Sequence, residues 1–198
     1  MAILHFTISM NMLRIISWVI LKILGWKVVG QFPPEIKKCV VVVAPHTSMW
    51  DFVYGLMIFS VLRKKTSFLI KNKYFFWPLG PIISGLGAIP VENKPGLSQF
   101  HGIANHVRNA DKLYLIITAE GTRKPVKRWK TGFYQLARES GVPIIMCWID
   151  YVGKVGGISS TIVPSDEMEK DIQKIQRFYK AKWAKHPEKF YEIPPQAD

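Results

Sequence analysis

Two short polar clusters, each directly following an apolar run, hold the side chains that could do chemistry. The first is Pro45-His46-Thr47-Ser48-Met49-Trp50-Asp51. His46 and Asp51 are separated by four residues. Along one continuous helix they would stand about 140° apart, too far round to meet. If His46 lies in a loop and Asp51 in the first turn of the helix that follows, the chain folds back and they can touch. The carboxylate would then hold one imidazole nitrogen and fix the tautomer, leaving the other nitrogen to remove a proton. That is two thirds of the logic of a catalytic triad, without a protein nucleophile, and it suits a substrate hydroxyl attacking a carbonyl. General-base help of this sort is worth on the order of 10²–10⁴ in rate. A structural reading competes. Ser48-Met49-Trp50-Asp51 has capping-box spacing, with Ser48 as N-cap and Asp51 at N3, and an acidic first turn suits the helix dipole. Both readings can hold for Asp51 at once.

The second cluster is Glu120-Gly121-Thr122-Arg123. It offers a fixed cation, a hydroxyl and a glycine where the backbone can approach a ligand closely. The planar fork of Arg123 matches phosphate oxygens. As an isolated tetrapeptide it is equally a plain turn with a solvated arginine. Lys124, Lys127, Arg128 and Lys130 follow, interleaved with Pro125, Val126 and Trp129. A basic rim with an exposed tryptophan suits an anionic membrane surface; a solvated charged face is the alternative. Other templates fail. There is no Gly-x-Ser-x-Gly elbow and no Walker-A loop, and Gly85-Leu86-Gly87-Ala88-Ile89-Pro90 lacks the final glycine of a dinucleotide fingerprint. His101 and His106 are too isolated for a zinc site and read as helix surface.

The elements that must position these clusters are legible. Cys39 to Ala44 is a β-branched run, as in a strand buried on both faces of a parallel sheet. Met49 to Leu62 and Leu97 to Asn109 are predicted helices, and Gln135 to Ser140 ends another before Gly141. Ser67 to Ile70, Ala88 to Val91, Leu113 to Thr118 and Pro143 to Ile149 are predicted strands, with one more at 158 to 163. Tyr74 to Gly87 reads as an ordered loop with a greasy surface. Glu167 to Lys185 reads as a solvent-exposed amphipathic helix, and the tail from Glu188 as frayed. Strands alternating with helices make an α/β fold, a single domain with a mostly parallel central sheet covered by helices. In such sheets ligands gather at the carboxyl ends of strands, where both clusters stand.

Composition narrows the partners. Of 198 residues, 48% are hydrophobic and 21% charged, which excludes disorder. Lys and Arg total 27 against 14 Asp and Glu, giving a net charge of +13 and anionic partners: phospholipid, phosphorylated metabolites or nucleic acid. Cys39 and Cys147 both lie in apolar runs, form no metal-ligand pattern and imply a reducing interior. Residues 8–26 are apolar but carry Arg14 and Lys22 inside the window that would have to cross about 30 Å of hydrocarbon. Asn11, Arg14, Ser17, Lys22 and Gly25 fall in one sector of a helix. A narrow polar stripe on so apolar a helix suits a bilayer interface, with Trp18 and Trp26 at headgroup level; packing on the protein's own core is the alternative. No small-residue cleavage site follows, which argues against a secretory signal. The expected organisation is residues 1–30 as an N-terminal amphipathic, membrane-associating helix and 31–198 as the catalytic domain.

Taken in order, His-x4-Asp at 46–51, Glu-Gly-Thr-Arg at 120–123 and Gly141-Val142-Pro143-Ile144-Ile145 resemble the glycerophospholipid acyltransferases of the 1-acylglycerol-3-phosphate type, over about residues 35–150. The resemblance implies a general base at His46 with Asp51 as its partner. It also implies an acceptor-phosphate site of Lys71, Glu120, Gly121, Thr122 and Arg123, with Gly141 to Ile145 near the acyl donor. It implies transfer from acyl-CoA or an acyl carrier protein to a lyso-lipid hydroxyl at a membrane phospholipid surface. It further implies that no metal, bound cofactor or nucleic acid takes part, and that the enzyme would sit peripherally on the cytoplasmic face of the inner or plasma membrane. The chain departs from the pattern in two places. Asn93 stands where the family's second block usually has arginine, with Lys94 next, and Pro45 replaces a common asparagine. A neutral Asn93 forgoes one charge-assisted phosphate contact, worth roughly 1.5–3 kcal/mol, which opens the acceptor to another lyso-lipid or a lyso-aminolipid. A non-enzymatic basic module would explain the charge but not the ordered motifs.

Overall fold

The computed structural model describes residues 2–92 and 96–194, with side chains from residue 11 onward; Asn93 and Lys94 lie outside the described residues. The strands are β1 (Lys27–Val29), β2 (Lys38–Ala44), β3 (Thr66–Lys71), β4 (Ala88–Val91), β5 (Leu113–Ile117), β6 (Ile144–Asp150) and β7 (Val155–Ile162). The helices are α1 (Ala2–Ile23), α2 (Trp50–Val61), α3 (Leu79–Gly85), α4 (Leu97–Asn109), α5 (Gly132–Ser140) and α6 (Met168–Phe178). One seven-stranded sheet runs β1-β7-β6-β2-β5-β3-β4. β6, β2, β5, β3 and β4 are mutually parallel, whereas β7 is antiparallel to β6 and carries β1 alongside it. The expected mostly parallel α/β sheet is therefore present. β1, too short to show a pattern, brings residues 27–29 into the sheet.

The β-branched run behaves as its composition demands. Val40, Val42 and Ala44 face α4, α5 and α6, and Cys39, Val41 and Val43 face the layer containing Phe32 and Phe59 of α2. Alternate side chains point to opposite faces, so a strand buried on both must be apolar throughout. Burying each valine stabilises by about 1.5–3 kcal/mol. Cys39 and Cys147 are both free and buried in this second layer. Burial pushes the Cys39 thiol up to about 12, against a smaller opposing pull from Lys64.

Three segments depart from expectation. Tyr74 to Gly87 is not all loop: Leu79–Gly85 forms α3, closed by Gly87 at φ +102, where a β-carbon would strike the Thr66 carbonyl oxygen. The helix expected over 167–185 stops at Phe178. Tyr179 then leaves in extended backbone, because its buried hydroxyl donates to the Val42 carbonyl at 2.9 Å. The tail from Glu188 is docked as far as it is described: Phe190 enters the core, and Glu192 pairs with Lys180 at 3.3 Å.

α1 packs against α2 through part of the sector that the sequence marks as polar, around Arg14 and Ser17, while Asn11, Lys22 and Gly25 of that sector are exposed. Ser17 and Leu21 are buried and Arg14 is half-buried, while Met12, Ile15, Ile16, Trp18 and Ile23 are exposed. The apolar face thus points outward. Trp26 is buried, not at a surface level as expected, and stacks on Tyr54 with centroids 4.3 Å apart. Among the described residues no helix is long and apolar enough to cross a membrane.

Candidate active site

The first cluster forms a tight reverse turn at the end of β2, entered through a cis Ala44–Pro45 bond. The Ser48 carbonyl accepts the Asp51 N–H at 3.4 Å and the Met49 carbonyl the Phe52 N–H at 3.2 Å, which starts α2. Asp51 Oδ2 accepts the N–H groups of Thr47 at 2.7 Å and Ser48 at 2.8 Å. Those bonds bring the chain back on itself. His46 Nδ1 then lies 3.3 Å from the same Oδ2, and its Nε2 side is left free of the pair. The spatial condition set by the sequence is met. The capping reading holds in part: α2 starts one residue later than expected, with Met49 at its N-cap and no side-chain cap there, but Ser48 Oγ accepts the Trp50 N–H at 3.2 Å while Asp51 reaches back to the Ser48 N–H.

Asp51 is 4% exposed and the His46 side chain 20%. Burial alone would raise the Asp51 carboxyl. Hydrogen bonds from His46, Ser48, Tyr151 and Thr47 outweigh it and hold the group below its usual range, so the carboxylate is charged beside the imidazole.

Glu120 requires a correction. The resemblance implies an acceptor-binding side chain, but its carboxyl is buried and both oxygens accept the His46 backbone N–H at 3.1 Å. Burial, with the Asp51 charge adding to it and the His46 N–H opposing, pushes its ionisation up to about 8. Its carboxyl braces the His46 turn from beneath and is not presented to solvent. Gly121 turns at φ +64, where a β-carbon would come within 2.8 Å of the Lys130 side chain. Thr122 Oγ1 accepts the Lys124 N–H at 3.3 Å, and Arg123 is exposed. Lys71 ends β3, exposed; Phe68 and Val41 both pair with Ile116, so three residues on Lys71 is level with Ala44. β5 lies between the two strands, placing Lys71 roughly 10 Å from β2 along the sheet edge.

One further expectation fails. Trp129 is not an exposed anchor; it is buried against Phe133 and Tyr179. Gly141 to Ile145 caps α5 and starts β6 level with Val40, so it lies at the opposite sheet edge from His46, about 20 Å of strand away. It shapes the core. Among the described residues no cluster of His, Cys, Asp and Glu could hold a metal ion. His101 lies on α4 against Glu139, at 2.6 Å.

Residues 26–150 match the acyltransferase family model, a span that contains β2, the His46–Asp51 turn, Lys71 and the Glu120–Arg123 loop. The chain belongs to the acyltransferase family. Among solved structures it is similar to the 1-acyl-sn-glycerophosphate (LPA) acyltransferase PlsC from Thermotoga maritima, at 17% identity and TM-score 0.60 over 85% of this chain and 78% of that one. That likeness carries the fold. No curated protein matches the chain.

The site contains one residue that motif reasoning misses. Tyr151, directly after β6, donates its hydroxyl to Asp51 Oδ1 at 2.8 Å. It is 100 positions away in sequence, and only the pairing of β6 with β2 brings it there.

Proposed function

We propose that this acyltransferase moves an acyl chain from a CoA or acyl-carrier-protein thioester to the free hydroxyl of a lysophospholipid, with 1-acylglycerol 3-phosphate the first candidate. The observation that carries it is the 3.3 Å contact of His46 with Asp51, at the sheet edge where Lys71 and Arg123 also stand exposed. The acceptor's O–H proton passes to His46 Nε2 as the oxygen attacks the thioester carbonyl carbon. The imidazolium so formed faces Asp51. Collapse of the tetrahedral species breaks the C–S bond, and the imidazolium proton goes to the departing sulfur. Lys71 and Arg123 fix the acceptor's phosphate, which makes the attack nearly intramolecular. This chemistry calls for no metal or bound cofactor. The outward apolar face of α1, with Lys22 4.7 Å from the Trp18 ring, supports peripheral binding to a membrane, for which the cytoplasmic leaflet is our proposal.

Asn93 favours a second reading, the same chemistry on another lyso-lipid or lyso-aminolipid. Labelled palmitoyl-CoA offered with 1-acylglycerol 3-phosphate, lysophosphatidylglycerol, lysophosphatidylethanolamine and a lyso-aminolipid separates them. Fastest turnover of the first supports the main reading, and transfer to none of them overturns both. Flotation with phosphatidylglycerol vesicles checks the membrane reading, and a protein that stays in the dense fraction refutes it.

A further inference from the structure

A carboxylate that faces an imidazole must satisfy two conditions. It must orient the ring, and it must not hold the proton there so firmly that the ring stays charged and cannot act as a base. Asp51 Oδ2 carries the orienting duty, with the Thr47 and Ser48 N–H groups and His46 Nδ1 all directed at it. Oδ1 is held by Tyr151 at 2.8 Å. Among the described residues Tyr151 is the one side chain besides His46 that hydrogen-bonds this carboxylate.

Tyr151 is held from every side. Asp150 Oδ1 accepts the Val152 and Gly153 N–H groups at 2.9 and 3.0 Å, fixing the turn between β6 and β7. The Tyr151 N–H donates to the Trp183 carbonyl at 2.9 Å. Its ring packs edge-on against Trp26 and Tyr54, with centroids 5.3 and 5.6 Å away, and Lys185 Nζ stands 6.0 Å from it. The same carboxyl-terminal segment reaches the catalytic turn, where the His186 N–H donates to Thr47 Oγ1 at 3.3 Å. Tyr151 and this segment lie outside the stretch that matches the family model. Burial, then the negative charge and hydrogen bond of Asp51, push the phenol well above its ordinary value, so it remains a donor at any working pH.

We propose that Tyr151 is a positioning residue for acyl transfer: its hydroxyl fixes Asp51 and shares the carboxylate's negative charge, leaving His46 oriented yet neutral enough to accept the acceptor's proton. This rests on the His46–Asp51 reading above. The other titratable or charged groups packed around the pair are Glu120 beneath the His46 N–H, Tyr54 on α2, and Lys185 and His186 on the carboxyl-terminal segment.

Tyr151→Phe keeps the ring and removes the hydroxyl. An NMR titration of His46, its signal assigned by loss in His46→Ala, reads the imidazole without any substrate. The midpoint moves to higher pH in Tyr151→Phe, because an unshared carboxylate favours the imidazolium. In acyl transfer from palmitoyl-CoA to the fastest acceptor of the panel, kcat falls about tenfold at neutral pH, as for one hydrogen bond to a charged group. Both KM values stay at the parent level, the melting temperature falls by a few degrees but stays well above the assay temperature, and the acid limb of kcat/KM moves to higher pH. Tyr54→Phe, in the same ring cluster, changes neither readout. A parent-like midpoint or a parent-like kcat in Tyr151→Phe overturns the inference, as does a kcat loss that disappears once the rate is referred to the folded fraction at the assay temperature. An active His46→Ala removes the dyad reading itself, whereas an inactive His46→Ala beside a parent-like Tyr151→Phe removes only Tyr151.

Discussion

The loops after β2 and β5 leave adjacent parallel strands at one sheet edge, yet they are built in opposite ways. In the first, side chains and backbone are bound to one another: Asp51 takes two N–H groups and a phenol, Glu120 takes a third N–H, and His46 sits four-fifths covered. In the second, Glu120 is buried but belongs to the first loop by its bonds, and Trp129 is turned into the core; Arg123, Lys124, Lys127, Arg128 and Lys130 are exposed. Groups that move a proton must be fixed before substrate arrives, because a small misplacement raises the barrier. Cations that capture a phosphate stay solvated until an anion replaces the water, and burying them unpaired would cost several kcal/mol each. On the proposed reading the two loops divide the reaction between turnover and capture.

The largest expected effect tests the first loop. His46→Ala loses about 10²–10⁴ in kcat, with its far-ultraviolet spectrum and melting temperature unchanged. A purified variant with most of its activity would end the division. Next comes Arg123→Ala, for which the acceptor KM rises about 10- to 150-fold, the equivalent of roughly 1.5–3 kcal/mol, with little change for the donor. A rise in donor KM instead would put the captured anion on the other substrate. Gly121→Ala is smaller, lowering stability by about 1–2 kcal/mol in urea unfolding, since alanine resists a left-handed backbone and meets Lys130 there. An unchanged midpoint would show that the second loop has no fixed shape.

The finest effect distinguishes Glu120 as a support from Glu120 as a ligand. Burial pushes its carboxyl from the ordinary 4.5 up to about 8 in the folded protein, so the fold favours the protonated form. At low pH both states are protonated and the contribution is complete. It is lost as pH rises, since the unfolded chain ionises first, and the loss is finished once the folded carboxyl ionises too. Glu120→Gln stays neutral throughout and keeps an oxygen for the His46 N–H. Its melting temperature therefore climbs relative to the parent between about pH 5 and 8. Parallel melting curves over that range would refute the buried assignment.

Much of the first loop could be read from local sequence, because a strand run, a proline and a capping-box spacing act over a few residues. Asp51 satisfied both of its readings for that reason. Motif order brought Glu120, Thr122 and Arg123 to one loop but said nothing of which way Glu120 turns, a matter settled by an N–H 74 positions earlier. Tyr151 left no signal, since no spacing rule connects a residue to a partner across a sheet. α1 was hydrophobic on nearly every side, so periodicity identified its seam but not whether that seam faced protein or solvent. The helix beyond Phe178 looked continuous because amphipathic period persists, while the break comes from a buried phenol hydrogen bond to β2.

The sulfur atoms at 39 and 147 offer one practical consequence. Both are enclosed by the central strands, and desolvation disfavours the thiolate that alkylating reagents need, so the native protein should resist a maleimide. Labelling then requires the sheet itself to open, which gives every variant proposed above an internal gauge of global integrity, free of substrate, membrane or turnover.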